Sequence, residues 1–360
     1  NLPTDHVVSL TDIGNHQIHA TYDKKITLYT GEIFQMRDAI RDEACGFIHL
    51  SKNIILEHLN LHFLGNFGIV GQYSENLTYK YLNCEPEYGS GRTCAGFADF
   101  VQMSGCKGKI HIINSRFEGA QDDPINVHGT HLKVIAYEPG NKIVVRFMHP
   151  QSYGFEAFFP GDEVEFTEIH SLQCLHKASV LKVERINDYD CKLTLNSSVP
   201  SILPQQEVVI ENITWTPEVE IRNNYFARTP TRGILVTTRR KVIIENNVFY
   251  RTPMSAIAVS NDARSWYESG PVHDLTIRNN HFIECGSPVI NIAPENNRPN
   301  GTVHKGIRIE NNRFTLKDKQ AIYARWTDNI RISGNYFDGI YPISTKESVL
   351  LEHCTNVENE

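Results

Sequence analysis

The feature that most constrains this chain is a six-residue phrase that recurs along it. Ile221-Arg222-Asn223-Asn224-Tyr225-Phe226 is followed by Ile244-Glu245-Asn246-Asn247-Val248-Phe249 and Ile277-Arg278-Asn279-Asn280-His281-Phe282. Ile309-Glu310-Asn311-Asn312-Arg313-Phe314 and Ile332-Ser333-Gly334-Asn335-Tyr336-Phe337 complete the series, and Ile113-Asn114-Ser115-Arg116-Phe117 is an earlier, degenerate copy. The phenylalanines of the five full copies are 23, 33, 32 and 23 residues apart. A self-similar period of this length marks a solenoid, in which each repeat buries its apolar face only by stacking on its neighbours.

Each phrase opens with strand-forming residues, as in Val242-Ile243-Ile244 and Leu275-Thr276-Ile277. A second short strand follows each Phe: Ile125-Asn126-Val127, Ile234-Leu235-Val236, Ile257-Ala258-Val259, Ile290-Asn291-Ile292 and Ile322-Tyr323-Ala324. Two or three short strands in some 23 residues leave no room for a crossover helix. The expected fold class is therefore all-β, a right-handed parallel β-helix, whose longer coils carry extra loops. The second Asn of each phrase reads as an inward corner residue that takes left-handed geometry and hydrogen-bonds its copies above and below. The Phe at its fixed offset reads as a core stack.

Between His131 and Trp215 the phrase disappears. Segments 132–137, 142–148, 162–167, 178–185, 192–195 and 207–211 read instead as antiparallel strands, separated by turns such as Pro139-Gly140, Pro160-Gly161 and Asn187-Asp188. The expected organisation is an accessory β-element or incomplete N-terminal part over 1–40 and first coils over 41–131. A small inserted antiparallel β-barrel over 132–215 and the remaining coils over 216–360 follow.

Removing the insert restores the register. Asp123, Arg232 and Ser255 each lie six residues after a repeat Phe, and Asp99 lies one coil length before Asp123. Asp99, Asp123, Arg232 and Ser255 are thus expected in one column, with Asp122 beside them. Neighbouring coils are about 4.8 Å apart, and carboxylates stacked at that distance repel and raise at least one pKa. Stability alone disfavours such a stack, whereas acid–base chemistry uses it. Three carboxylates also suit Ca²⁺; the reading adopted is catalytic, with no metal and no cofactor. Arg232 is expected to orient substrate or neutralise the cluster. His128 alternates with Asn126, so both are expected to face outward beside the aspartates. The polar-aromatic stretch His149-Pro150-Gln151-Ser152-Tyr153-Gly154-Phe155 is expected to overhang the site from the insert. Trp266, in a long loop, is placed to stack on a sugar face.

Other properties narrow the function. The net charge is −7 and there is no long basic run, which argues against a nucleic-acid partner. No apolar stretch reaches the roughly 18 residues of a membrane span. The eight cysteines show neither CxxC pairs nor zinc spacing, so most are expected as buried apolar residues, with Cys84 and Cys94 the pair nearest a local disulfide. The chain begins at Asn1 without Met or a signal-peptide pattern, and is expected to be a processed or truncated piece of a secreted or periplasmic protein, able to form a homo-oligomer.

Phe117-Glu118-Gly119-Ala120-Gln121-Asp122-Asp123-Pro124-Ile125-Asn126-Val127-His128-Gly129, with Ala98-Asp99-Phe100 upstream and the His149–Phe155 phrase, resembles the signature of glycoside hydrolase family 110. The resemblance spans most of the chain, although Pro124 stands where the family has Ala and the N-terminal part is shorter. It implies an exo-acting α-1,3-galactosidase that releases terminal α-galactose from an oligosaccharide or polysaccharide, with inversion and without metal, using Asp99, Asp122 and Asp123. A first assignment makes Asp123 the acid, with Asp99 and Asp122 around the water. Inverting pairs stand about 6.5–9.5 Å apart, wider than simple stacking, unless the side chains splay. The alternatives are a polygalacturonase-like hydrolase or β-helix polysaccharide lyase acting on uronates, and a non-catalytic glycan-binding adhesin.

Overall fold

The two halves of each phrase form adjacent faces of a coil. In a computed structural model, which describes residues 6–27, 29–31, 41, 43–339 and 345–359, the opening half builds a nine-stranded parallel sheet. That sheet runs from Lys52–Glu57 through Lys241–Glu245 to Thr355–Asn359. The Phe half builds an eight-stranded parallel sheet from Asn60–Leu61 to Tyr336–Gly339. The segment after each Phe builds a third, with Phe67–Gln72, Val101–Ser104, the first residues of Ile125–Glu138, Ile234–Val236 and Ile257–Val259 in succession. The result is a parallel β-helix, all-β apart from a single helical turn at Thr345–Ser348 and a 3₁₀ turn at Leu203–Gln205 among the described residues.

The Asn-Asn corner divides its work between two residues, where one was expected to do both tasks. The first Asn takes left-handed geometry: φ is 56° at Asn223 and Asn246, 55° at Asn279 and 54° at Asn311, with Gly334 at 63° in the last phrase. This turn points its own side chain outward and the next one in. The second Asn is buried and forms the ladder. Asn224 Nδ2 donates to Asn247 Oδ1 at 3.1 Å, and the 247–280, 280–312 and 312–335 steps each measure 3.0 Å. Each Nδ2 also reaches a strand carbonyl, so the buried amide is satisfied. Beside the ladder the Phe rings stack, with centroids 4.8 Å apart at Phe226–Phe249 and Phe282–Phe314, and 5.1 Å at Phe249–Phe282. Phe117 stacks on Phe226 at 5.3 Å although 109 residues separate them, so the coil continues across the insertion.

Between those coils Ile125–Glu138 leaves the helix and enters a closed ring of six antiparallel strands. It pairs with Lys142–Arg146 on one side and Val208–Asn212 on the other, and Asp190–Leu195, Cys174–Arg185 and Glu163–Glu168 close the circuit. This barrel has its own core around Phe147, Phe158, Phe166 and Leu193. Tyr73 of the helix is buried against Phe155, Phe159 and Trp215, with centroids 5.4–5.9 Å away, which fixes the barrel loop 149–159 over the coils.

Residues 1–40 form a separate unit. Its described part is an antiparallel hairpin of Val7–Gly14 and Gln17–Tyr22; residues 1–5, 28 and 32–40 of the expected accessory element lie outside the described residues. No disulfide joins Cys84 to Cys94. Cys84, Cys94, Cys106 and Cys285 are buried, whereas Cys45 and Cys174 are exposed, which makes burial less general than expected.

Candidate active site

The third sheet sets the geometry of the site. Ile125 pairs with Val101 on one side and Ile234 on the other, and Ile234 pairs with Ile257. Two residues earlier in each strand stand Asp123, Asp99, Arg232 and Ser255, one per coil, at the bend that leads into the sheet. Gly68 permits this approach on the next coil, since a Cβ there would lie 2.4 Å from the carbonyl oxygens of Asp99 and Phe100.

Each aspartate has a different setting. Asp123 is buried and gripped by Arg232: Oδ1 accepts from the backbone N and Nε at 3.0 Å each, and Oδ2 pairs with Nη2 at 2.9 Å. Asp122 Oδ2 pairs with Arg41 Nη1 at 2.7 Å, and its Oδ1 accepts from the Asp123 backbone N at 3.1 Å. The Asp122 side chain keeps 19% of its surface open, against 3% for Asp123. The Asp99 carboxyl is buried and has no hydrogen bond or ion pair among the described residues.

These settings separate the protonation states. Burial pushes Asp99 well above the ordinary carboxylate range, and the charges of Asp122, Asp123 and Glu268 push it further, against a weaker pull from Arg41. Burial also raises Asp123, but the charge and hydrogen bonds of Arg232 oppose that rise. Both stacked carboxyls are thus raised, Asp99 the more strongly, because the Arg232 guanidinium favours the charged form of Asp123.

The cluster opens into a cavity of about 910 Å³. Asp99, Asp122, Asp123 and Arg232 line it together with His128, His149 and Trp266, so all seven site residues expected from the sequence share one space. His128 is buried on the floor. Its Nδ1 lies 2.7 Å from the Gly129 carbonyl, which makes Nδ1–H the donor and leaves Nε2 to accept from Gln102 Nε2 at 3.1 Å. His149, from the barrel, packs directly on Trp266 of the 260–268 loop with centroids 4.6 Å apart. Desolvation lowers the His149 pKa, so its ring is neutral at neutral pH. Trp266 is held by its loop: the Asp262 carboxylate accepts the backbone N–H groups of Arg264 at 2.9 Å, Ser265 at 3.0 Å, Tyr267 at 3.2 Å and Trp266 itself.

Five charged residues that line the cavity carry no signal in the sequence, namely Arg41, Asp262, Arg264, Glu268 and Glu295, and two of them act directly on the aspartates. Arg41 precedes the first described coil strand and carries no repeat signal. Glu268 lies in a two-residue strand, Glu268–Ser269, that pairs antiparallel with Gly129 and Thr130 inside the long loop. Nothing in the period marks either one. Among the described residues no group of three or more His, Cys, Asp or Glu side chains is arranged to hold a metal ion.

Comparison with known proteins agrees with this architecture. Residues 142–209 match the model of GLAA-B beta-barrel domain II, and residues 208–337 match that of the right handed beta helix region. The chain is 49% identical over 360 residues to "Alpha-1,3-galactosidase A" of Bacteroides thetaiotaomicron, covering 99% of this chain and 63% of the relative. It is 41% identical over 341 residues to "Alpha-1,3-galactosidase A" of Streptomyces avermitilis, covering 91% and 55%. It is 36% identical over 341 residues to "Alpha-1,3-galactosidase B" of B. thetaiotaomicron, again covering 91% and 55%. The chain thus spans between about half and two thirds of the length of these curated relatives. Its coils and its barrel belong to the family of these alpha-1,3-galactosidase A and B sequences, in agreement with the resemblance to glycoside hydrolase family 110.

Proposed function

We propose that this chain carries the active site of an exo-acting glycoside hydrolase that releases terminal α-1,3-linked galactose with inversion. The observation that carries the reading is the three-aspartate cluster lining a cavity walled by the barrel loop and the 260–268 loop. A walled pocket admits a chain end, whereas an open groove admits the middle of a polymer. The choice of galactose and of the α-1,3 linkage rests on the names of the relatives. The same reading puts the protein in the periplasm or outside the cell, where such glycans are met.

The roles follow from spacing and ion pairing. Asp99 and Asp123 occupy adjacent coils at a spacing of about 4.8 Å, too close to be the two ends of an inverting pair, which needs about 6.5–9.5 Å. They serve together on the water side, where Asp123, kept ionised by Arg232, is the base. Arg232 engages both oxygens of Asp123, whereas Arg41 pairs with one oxygen of Asp122, whose carboxyl is the more open, and this difference is the reason to move the acid role to Asp122. Asp99, the carboxyl raised furthest, supplies the proton that Asp122 needs, since Asp122 is the neighbouring charge that acts most strongly on it. In the step itself Asp122 donates a proton to the glycosidic oxygen as the C1–O bond breaks. Water attacks C1 from the opposite face and gives its proton to Asp123.

Incubation with an α-1,3-linked galactobioside, followed by NMR, tests the reading. β-Galactose is expected as the first product, at a rate a chelator leaves unchanged. Initial α-galactose would mean a retaining mechanism. Release of oligosaccharides, or arrest by the chelator, would favour a uronate-polymer enzyme.

A further inference from the structure

The catalytic proposal leaves a group of polar side chains on the cavity floor without a task. Asn126 stands on the third sheet, two residues before His128, and is buried. Its Nδ2 donates to Glu268 Oε1 at 3.2 Å, while its Oδ1 is buried with no partner. An orphaned buried acceptor is costly unless a ligand supplies the missing donor. Glu268 Oε2 likewise has no hydrogen bond among the described residues, and the side chain is 17% open to the cavity. Glu268 lies beside Asn126 and His128 on the cavity lining, and its charge acts on Asp99, Arg232 and His149. Beside it the His128 ring has committed Nδ1 to Gly129 and Nε2 to Gln102, and Nε2 lies 3.6 Å from Glu268 Oε1.

Two acceptors side by side, one charged and one orphaned, require a ligand that offers two donors. Leu235 and Ala258 continue the same floor as apolar surface. Adjacent hydroxyls on a sugar ring, with the C–H face of that ring over the apolar floor, meet both conditions. A sugar carboxylate meets neither, since it brings acceptors and a negative charge to a carboxylate. Arg41 and Arg232 are already paired with Asp122 and Asp123. Arg264 also lines the cavity, where its Nη2 donates to the Glu295 carbonyl, so the rejection of a sugar carboxylate is assigned to Glu268 itself.

We propose that Glu268 and Asn126 seat two hydroxyls of the terminal sugar, and that Glu268 makes the cavity a filter for neutral hexoses against hexuronic acids. The inference rests on the glycosidase reading for its substrate and deepens it. Glu268 is a binding residue in this scheme, and the orphaned Asn126 oxygen is the acceptor it supports.

The test uses free galactose and free galacturonate as probes, with binding followed by ligand-observed NMR titration and turnover of an α-1,3-galactobioside measured separately. The unmodified protein is expected to bind galactose and to bind galacturonate at least tenfold more weakly. Glu268→Gln is expected to weaken galactose binding and raise KM about tenfold, and to shrink the preference for galactose over galacturonate. Asn126→Ser, which leaves Glu268 charged, is expected to weaken galactose while the rejection of galacturonate persists. Thermal melting identifies a variant that fails to fold, in which case the other variant decides. Galacturonate binding as tightly as galactose, or a folded Glu268→Gln with unchanged affinity and KM, overturns the inference. If galactose binds as described but no α-galactoside is cleaved, the glycosidase reading fails and the sugar seat stands.

Discussion

Asp123 and Arg232 lie 109 residues apart in sequence and one coil apart in space, and they close a two-pronged ion pair with both oxygens of the carboxylate engaged. The barrel fills the interval, so the pair forms only because the coil resumes in register after it. The guanidinium is 35% open and the carboxylate 3%. Loss of the cation therefore leaves a nearly buried charge uncompensated.

Arg232→Gln should move the acidic limb of the kcat/KM profile to higher pH. Burial raises the Asp123 pKa and Arg232 holds it back, so without the cation the base keeps its proton to higher pH. The neutral-pH rate should fall on the order of 10²-fold. A pH–rate profile that keeps its acidic limb in place would show that Asp123 is not the base.

Asp122→Asn should lower turnover of an ordinary galactoside by about 10²–10⁴-fold, and turnover of a galactosyl fluoride far less. A leaving group that needs no proton bypasses the acid. Asp123→Asn should impair both substrates alike. Steady-state rates on the two substrates separate these roles, and equal losses in Asp122→Asn would return the acid role to another carboxyl.

Asp99→Asn should abolish most turnover yet raise the melting temperature at pH 7, by roughly 2 °C for each kcal/mol gained. The folded-state pKa of Asp99 lies above the ordinary 3.8, so the native state binds more protons than the unfolded chain between the two values. That contribution favours the fold below pH 3.8 and is lost as pH rises through the folded value. The stabilisation by Asn should therefore vanish below about pH 3.8, a trend that melting curves across pH would reveal.

Asn247→Ala should cost about 2–4 kcal/mol of stability, because it strands the Asn224 amide and backbone N–H groups and the Ile221 carbonyl. The exposed Asn246, which needs left-handed backbone, should tolerate Gly at little cost. Denaturant titration distinguishes the two, and equal effects would contradict the division of labour at the corner.

The repeat phrase by itself determined the β-helix, the Phe stack and the place of the insertion. Strand alternation and a fixed period are local properties, and each copy must present the same face to the one above. It also brought Asp99, Asp123, Arg232 and Ser255 into one column, because equal offsets from a stacked Phe become neighbours once the coils are in register. Only the tertiary structure decided what these residues do to one another. Arg41 and Glu268 reach the site from segments outside the period, so no count along the chain places them. The splitting of the Asn-Asn corner depends on which of two adjacent side chains turns inward, a matter of backbone sign that composition does not record. The protonation of Asp99 against the charge of Asp123 depends on burial and on which carboxyl a guanidinium reaches. Those are distances across coils and loops, which exist only after the chain has folded.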